Sequence, residues 1–135
     1  MTTPQYLIED TPEELAAAAA RQAAWAQRIL KHERCSHEAE AKAVPAFARL
    51  LDLAETRNSG QIRTVVQFIA ATYNGRAWRF DPFDLRGLDV AIGDDMLACL
   101  DCLRWATSDL YRLVPNGDAR IQAMLRAWGL IAVVQ

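Results

Sequence analysis

The 135-residue sequence contains no run of about 18 apolar residues, the length that a membrane-spanning helix requires. Its longest alanine run covers only residues 16–20 and stands in a polar context. The opening MTTPQYLIED has neither the basic segment nor the apolar core of a secretory signal peptide. These absences argue against a membrane or secreted protein, and we expect a cytoplasmic one.

Cysteine is scarce, and the three cysteines do not form a disulfide framework. Cys99 and Cys102 make a C-x-x-C pair, a pattern that redox proteins place at a helix N-terminus, where the dipole lowers the thiol pKa. Here the pair falls in the middle of a predicted helix, and Asp95, one turn away, should raise the pKa of Cys99 instead. We therefore expect Cys99 to be a core residue and Cys102 to flank it.

Histidine is scarcer still, with two residues in the chain. His32, Cys35 and His37 form an H-x-x-C-x-H pattern that could join the C-x-x-C pair in a zinc site. The two groups lie far apart in the sequence, so we expect no metal and no cofactor. Elemental analysis of the purified protein would test this expectation.

A large excess of either charge is also missing, since the formal net charge is −2. This balance argues against a strongly basic nucleic-acid binder and against an acidic DNA mimic. Lysine is nearly absent, because thirteen of the fifteen basic residues are arginine. One segment, residues 57–79, carries four arginines and no acid: Arg57, Arg63, Arg76 and Arg79. Arginine suits planar contacts with several hydrogen-bond donors.

The sequence is rich in apolar residues, at 52%, which is enough for a buried core in one domain. The sequence predicts a helix start at residues 11–14. Thr11 and Glu14 form a capping box, and Pro12 occupies the first helical position. The alanine-rich helix that follows should fade near residue 35. Its apolar stripe consists of Leu15, Ala19, Trp25, Ala26 and Ile29. So thin a stripe buries little area, and we expect it to pack loosely or against a partner, a second copy included.

Apolar residues at helical spacing predict four further helices. They run over residues 45–57, 60–73, 89–107 and from Asp118 to Gly129, with the second of these as the buried centre. Asn74–Gly75 offers a left-handed stop after the second helix, and Asp118 can cap the last one. One face of the third helix carries five residues: Ile92, Met96, Cys99, Leu100 and Leu103. We predict an all-α fold: a single compact helical domain of four main helices, at residues 44–130, preceded by an N-terminal helix at residues 11–35 and a flexible segment at residues 1–10.

A dense connector, TYNGRAWRFDPFDLRGLD, joins the second and third core helices. A cluster of carboxylates begins there: Asp81, Asp84, Asp89, Asp94 and Asp95. Hydrolases and magnesium sites use such groups. The first three stand where helix caps are needed, and no histidine, serine or lysine lies near to complete a mechanism. We expect caps and salt bridges to Arg76, Arg79 and Arg86.

The same connector mixes arginine with aromatic residues. Phe83 and Leu85 are expected to anchor it in the core, which leaves Arg76, Trp78 and Arg79, with Arg63 nearby, as the candidate partner-binding surface. Tryptophan and arginine dominate hot spots of protein interfaces. They can also stack on and neutralise a nucleic acid, so both kinds of partner stay open.

Three segments carry a family resemblance: VPAFARLLDLAETRNSGQIRTVVQFIAATYNG, FDLRGLDVAIGDDMLACLDCLRW and IQAMLRAWGL. Over about residues 44–130 the chain resembles a small uncharacterised domain family carried by proteobacterial plasmids and integrating elements. Its most specific pieces are residues 59–63, 83–85 and 88–97. Where that family has tryptophan and asparagine, this chain has Tyr73 and Asn74. The resemblance implies no activity. It does imply that the gene belongs to a mobile element, and small proteins of such elements often bind proteins of the host or of the element.

Three hypotheses follow. The first is a non-enzymatic protein-binding module of a mobile element, with an anti-CRISPR-like inhibitor of a host defence complex as its finer form. The second is a nucleic-acid-binding regulator, or an accessory factor of plasmid transfer or maintenance, that uses the four arginines of residues 57–79. The third is a metal-dependent enzyme that uses the aspartate cluster or the cysteine and histidine set.

Overall fold

The computed structural model describes residues 10–131, which form four α-helices and two short 3₁₀ helices. The α-helices are α1 (Pro12–Thr56), α2 (Gly60–Tyr73), α3 (Val90–Trp105) and α4 (Gly117–Ala127). The 3₁₀ helices are Pro82–Gly87 and Leu110–Arg112. No strand occurs within residues 10–131, which confirms the all-α fold class. The predicted flexible segment lies outside the described residues, apart from Asp10.

The first helix begins as the capping box predicts. The Thr11 amide donates to Glu14 Oε2 at 2.9 Å, and the Glu14 amide donates to Thr11 Oγ1 at 3.2 Å. Its predicted end near residue 35 is wrong, because α1 continues without a break through Pro45 to Thr56. Proline removes one helical hydrogen bond. Seven buried side chains hold the helix on either side of it: Ala39, Ala43, Ala46, Phe47, Leu50, Leu51 and Ala54.

The chain divides into two units, residues 1–34 and residues 35–135. The described part of the first unit is the beginning of α1, where every side chain except that of Ala18 is exposed. The predicted apolar stripe lies on this exposed surface, with Leu15 at 56% and Trp25 at 60% of full exposure. Within the first unit this stripe therefore has no covering element among the described residues.

The core of the second unit is built around α2, as the sequence predicted. Five of its large apolar side chains are buried: Ile62, Val65, Val66, Phe68 and Ile69. α2 packs against α4, which buries Ile121, Met124 and Leu125. Each such side chain contributes about 1.5–3 kcal/mol of hydrophobic stabilisation when it is fully buried. The end of α4 is tied to α1 by Trp128, whose Nε1 donates to the Ala54 carbonyl at 3.3 Å.

Charged side chains on α1 and α4 reinforce this packing. Arg120 donates to Glu55 through Nε at 3.1 Å and through Nη2 at 2.5 Å, and Nη2 also donates to Asp52 at 2.9 Å. These hydrogen bonds raise the pKa of Arg120, with Glu55 the larger cause. The guanidinium thus stays charged and links two helices that are far apart in the sequence.

The start of α4 differs from the prediction that Asp118 caps it. Asn116 precedes the helix in the left-handed conformation, with φ of 56°, and makes no side-chain capping bond. Asp118 instead accepts a hydrogen bond from the Tyr73 hydroxyl of α2, which raises the pKa of Tyr73. The predicted end at Gly129 is confirmed by its positive φ of 72°, a conformation that glycine adopts without strain.

One face of α3 is buried as predicted, through Ile92, Met96 and Cys99. Leu100 and Leu103, which the sequence placed on the same face, are 41% and 42% exposed instead. Around the helix axis, the direction of Leu103 differs from that of the buried Ile92 by only about 20°. Leu103 is therefore exposed because it lies near the end of α3, and not because it points another way. The last turns of α3 border an open groove rather than another helix.

Candidate functional site

The connector after α2 begins with a turn made by one side chain. Asn74 is extended, with φ of −152°, so the left-handed stop predicted for Asn74–Gly75 is wrong. Its Oδ1 accepts from the Arg76 and Ala77 amides at 3.1 and 3.2 Å. Its carbonyl accepts from the Trp78 amide at 3.0 Å. An asparagine side chain that bonds the backbone two residues ahead is a stable turn, and this one fixes where Trp78 stands.

The next residues fold back onto the core. The Phe80 ring meets the Phe68 ring of α2 edge to face, with centroids 5.4 Å apart and planes at 84°. Asp81 then caps the 3₁₀ helix Pro82–Gly87 by accepting from the Phe83 amide at 3.0 Å, as the sequence predicted. Leu85 is half-buried against the core, which agrees with its predicted role as an anchor.

Phe83 does not share that role. It is 67% exposed, and the Arg86 guanidinium lies 5.0 Å from the centre of its ring. The prediction that Phe83 anchors the connector is therefore wrong. A 3₁₀ helix turns in steps of about three residues, so its inward positions fall on one side only, and Leu85 occupies that side here.

The turn, the 3₁₀ helix and the end of α3 enclose an apolar groove of about 450 Å³. We call it the α2–α3 groove. Its lining comes from α2, the connector and α3: Phe68, Ala71, Thr72, Gly75, Trp78, Arg79, Phe80, Pro82, Leu85, Leu100 and Leu103. Most of these side chains are apolar, and the two leucines of α3 are both exposed in the groove.

Two of the four predicted partner-binding residues meet at this groove. Trp78 is half-buried in its wall, and Arg79 lines it and is exposed. Arg76 is exposed on the same turn. Neither arginine has an acidic partner within residues 10–131. The groove thus has an apolar floor and a positively charged edge.

The structure does not bring Arg63 to the same place. Arg63 borders a separate small hollow with Val66, Gln67, Trp128 and Leu130. Counting 100° per residue around the α2 axis, the α2 residues that line the groove point on average roughly 130° away from Arg63. Sequence reasoning also missed Leu100 and Leu103. Their apolar spacing is that of core residues, and nothing local shows that they border a groove.

Three of the five aspartates of the predicted cluster are engaged, each with a different partner, and Asp89 precedes α3 without the side-chain capping bond that was expected of it. Asp95, whose side chain is 15% exposed, accepts from Arg49 Nε and Nη2 at 3.0 and 2.8 Å. The Asp89 side chain accepts from Gln61 Nε2 at 3.1 Å, and the Asp89 amide donates to Gln61 Oε1 at 2.6 Å. The predicted salt bridges to Arg76, Arg79 and Arg86 do not occur within residues 10–131.

A second hollow, of about 430 Å³, lies beside these pairs and includes Arg49, Asp89, Asp95 and the exposed Arg57. Two of its charged groups bind each other: Arg49 holds Asp95 in a two-pronged contact that raises the pKa of Arg49. Asp84 borders another, mainly polar, depression with Gln61 and Thr64. Within residues 10–131 no three histidine, cysteine, aspartate or glutamate side chains stand close enough together to hold a metal ion.

The cysteines are free, and both members of the C-x-x-C pair are fully buried. Burial is the main cause that raises the pKa of Cys99 to about 12, and Asp95 adds to it. Burial also raises the pKa of Cys102, followed by Glu40 and Asp101. Neither thiol has the low pKa of a redox cysteine. The prediction that Cys99 is a core residue is confirmed, and Cys102 is a core residue as well.

Comparison with known proteins finds one family. The model of a family described as "Family of unknown function (DUF7673)" matches residues 44–129, most of the chain. No curated protein and no solved structure matches. Across residues 10–131 no helix is apolar over a sufficient length to span a bilayer.

Proposed function

The chain belongs to this family of unknown function, and we propose that it is a non-enzymatic protein-binding module that holds its partner in the α2–α3 groove. The observation that supports this most is the exposure of Leu100 and Leu103 on the groove floor, at 41% and 42%. Aliphatic side chains on a concave surface gain free energy when a partner covers them, at roughly 25 cal/mol for each Å² of apolar area.

The groove has the composition of an interface centre. Trp78 offers a large ring in the groove wall, with its backbone amide bound to the Asn74 carbonyl, and Arg79 lies beside it. Tryptophan and arginine carry a large share of the binding energy in protein interfaces, chiefly where surrounding contacts exclude water. An anchor that is already positioned loses little conformational entropy on binding, which favours affinity.

The chemistry of the partner follows from this arrangement. An amphipathic segment that inserts two or three apolar side chains would cover Leu100 and Leu103. Carboxylates beside those anchors would pair with Arg76 and Arg79, which have no acidic partner within residues 10–131. We therefore expect a protein partner with an apolar segment flanked by aspartate or glutamate.

A non-enzymatic role is supported because these candidate catalytic side chains are already hydrogen-bonded or buried. Asp89 and Asp95 are bound to Gln61 and Arg49, and Asp81 caps a helix. Cys99 is buried with a raised pKa. None of these groups borders the α2–α3 groove.

In its finer form the proposal makes the partner a component of a host defence complex, which the protein inhibits by contact. Its support is the resemblance to a family carried by plasmids and integrating elements. The genes next to the family's genes test this form, because defence inhibitors, conjugation functions and toxins have different neighbours.

Capture of partners with matched variants tests the proposal. Wild-type protein and a Leu103→Glu variant would be used to recover proteins from a bacterial lysate, with quantitative mass spectrometry of both. The control is Leu97→Glu, because Leu97 is an exposed leucine of the same helix, at 55%, that does not line the groove. We expect a discrete protein that is lost with Leu103→Glu and retained with Leu97→Glu. Equal recovery with all three chains would reject the groove.

A paired charge reversal separates a protein partner from a nucleic acid. Arg79→Glu alters the groove edge, and Arg63→Glu alters the distant hollow. The protein-binding proposal predicts weaker binding of the recovered partner with Arg79→Glu only. A nucleic-acid regulator that uses all four arginines of residues 57–79 would instead bind DNA or RNA at low salt, and both reversals would weaken it and reduce its salt dependence.

A further inference from the structure

The chain itself contains a segment with the chemistry that the α2–α3 groove favours. Residues 6–10 read YLIED, so three large apolar side chains stand directly before two acids. Residues 6–9 lie outside the described part of the chain, and Asp10 is exposed. A second apolar run, LIAVVQ at residues 130–135, has no acid. Of these two runs, only residues 6–10 offer apolar anchors and carboxylates together.

The charge around this segment is opposite to that of the groove edge. Residues 1–20 carry four acids and no basic residue: Glu9, Asp10, Glu13 and Glu14. Arg76 and Arg79 are exposed where the connector borders the groove, in a stretch without acids. Within residues 10–131 neither arginine has an acidic partner. Opposite charges on two surfaces steer their association and fix their register.

The groove floor suits the apolar part of the segment. Leu100 and Leu103 are both exposed there, and the groove volume of about 450 Å³ is in the range of sites that enclose a small ligand. Large aliphatic and aromatic side chains that enter such a site gain free energy in proportion to the apolar area that is removed from water.

The helix that follows the segment limits how far it can reach. Pro12 and Arg34 are 22 residues apart on α1, which is about 33 Å along the helix axis. Ile8 stands four residues before Pro12 and can extend at most ~14 Å from it. Ile8 therefore stays at least roughly 19 Å from Arg34 of its own chain. A fold-back would have to span this gap, which favours the groove of a second copy.

We propose that residues 6–10 of one copy of the chain occupy the α2–α3 groove of a second copy. The apolar side chains cover the groove floor, and the two acids lie beside Arg76 and Arg79. The inference rests on the proposed function, because it takes the same groove as a protein-binding site. It adds regulation to that site: a foreign partner must displace the segment, so its apparent affinity falls with the fraction of grooves that are open.

Photo-crosslinking between purified chains tests the exchange. A photoreactive phenylalanine analogue replaces Leu103 in an unlabelled chain, which is mixed with an excess of isotope-labelled wild type. Arg21 is the first site at which trypsin cuts, so residues 1–21 are released as one peptide. We expect this peptide on the probe in its labelled form, because it comes from the second copy. A probe at Leu97, which is exposed outside the groove, should not capture it.

Matched variants of the labelled chain test the segment. Leu7→Glu places a charge among the apolar anchors, and Thr3→Glu adds the same charge to the same peptide outside them. We expect Leu7→Glu to lower the yield of the labelled adduct about tenfold or more, and Thr3→Glu to leave it at the wild-type level. The absence of a labelled adduct, an adduct that carries the unlabelled peptide, or equal loss from both variants overturns the proposal.

A charge exchange tests the polar contacts. Reversal of the groove edge, with Arg76→Glu and Arg79→Glu in the probe chain, should reduce the labelled adduct. Reversal of the segment as well, with Glu9→Arg and Asp10→Arg in the labelled chain, should restore it. A yield that does not recover would contradict the pairing of these acids with the groove edge.

These mixtures contain no other protein, so their outcome is separate from that of the lysate capture. A lysate partner that is held through Leu103, without exchange between purified chains, would reject this inference and leave the proposed function standing. Exchange without a lysate partner would support the inference and reject a foreign occupant of the groove. The absence of both would reject the groove as a binding site.

Discussion

At the scale of single residues, Cys99 makes the stability of the protein depend on pH. Its folded-state pKa of about 12 lies above the ordinary value of 9.0, so the fold favours the neutral thiol. This contribution is complete below pH 9 and is lost as the pH rises towards 12, because the unfolded chain ionises first.

We predict that the free energy of unfolding falls more steeply between pH 8 and pH 10.5 in the wild type than in Cys99→Ala. Urea denaturation at several pH values measures both slopes. The alanine variant will be less stable at every pH because it leaves a cavity, so only the slope is compared. Identical slopes would contradict the burial of this thiol.

Arg120 of α4 joins α1, a helix distant in the sequence, and it is only 27% exposed. We predict that Arg120→Gln lowers the free energy of unfolding by about 1–2 kcal/mol, because Glu55 and Asp52 lose their charged hydrogen bonds while solvent screens part of the effect. Arg126→Gln on the same helix, an exposed site, should stay within about 0.5 kcal/mol of the wild type. If both variants lose the same free energy of unfolding, the ion pairs of Arg120 do not stabilise the fold specifically.

At the scale of elements, α1 contains a proline where a helix is expected to stop. Pro45 is exposed, so its ring contributes little packing to offset the hydrogen bond that the Ala41 carbonyl loses. We predict that Pro45→Ala raises the free energy of unfolding by about 1–3 kcal/mol. Thermal and urea denaturation would show it, and a variant that is less stable than the wild type would indicate that the helix is bent or broken at this point.

Two helical glycines should respond in opposite directions. A Cβ atom at Gly117 would lie 2.0 Å from the Tyr111 carbonyl oxygen, whereas one at Gly93 in α3 meets nothing within 4 Å. We predict that Gly117→Ala destabilises the protein by about 1–3 kcal/mol through overpacking. Gly93→Ala should stabilise it by about 0.5–1 kcal/mol through helix propensity. The same denaturation series checks both, and a shared direction would refute the close approach at the start of α4.

At the scale of the whole molecule, local signals predicted most of the fold. The Thr11–Glu14 capping box, the buried face of α2 and the stop at Gly129 each depend on neighbours in the sequence, and each is confirmed. The break predicted between residues 35 and 45 followed the thin apolar stripe of the N-terminal helix, which was expected to fade near residue 35. It is wrong because buried alanines of α1 hold the helix through contacts distant in the sequence, which no local pattern contains.

The groove was predictable only in part for the same reason. Trp78 and Arg79 stood out because the fold did not require them, and both line the α2–α3 groove. Leu100 and Leu103 have core spacing, and their exposure depends on the groove that tertiary packing leaves open between α2, the connector and α3. Arg63 lies near the others in sequence but on another side of α2, which helical periodicity can show only once the position of the groove is known.

If a protein occupies the α2–α3 groove, site-specific photo-crosslinking in living bacteria should trap it there. A photoreactive phenylalanine analogue would replace Leu103 on the groove floor or, as the control, Leu97 outside it. We expect a discrete covalent adduct with one protein at position 103 and its absence at position 97. No adduct at 103, or the same adducts at both positions, would contradict it.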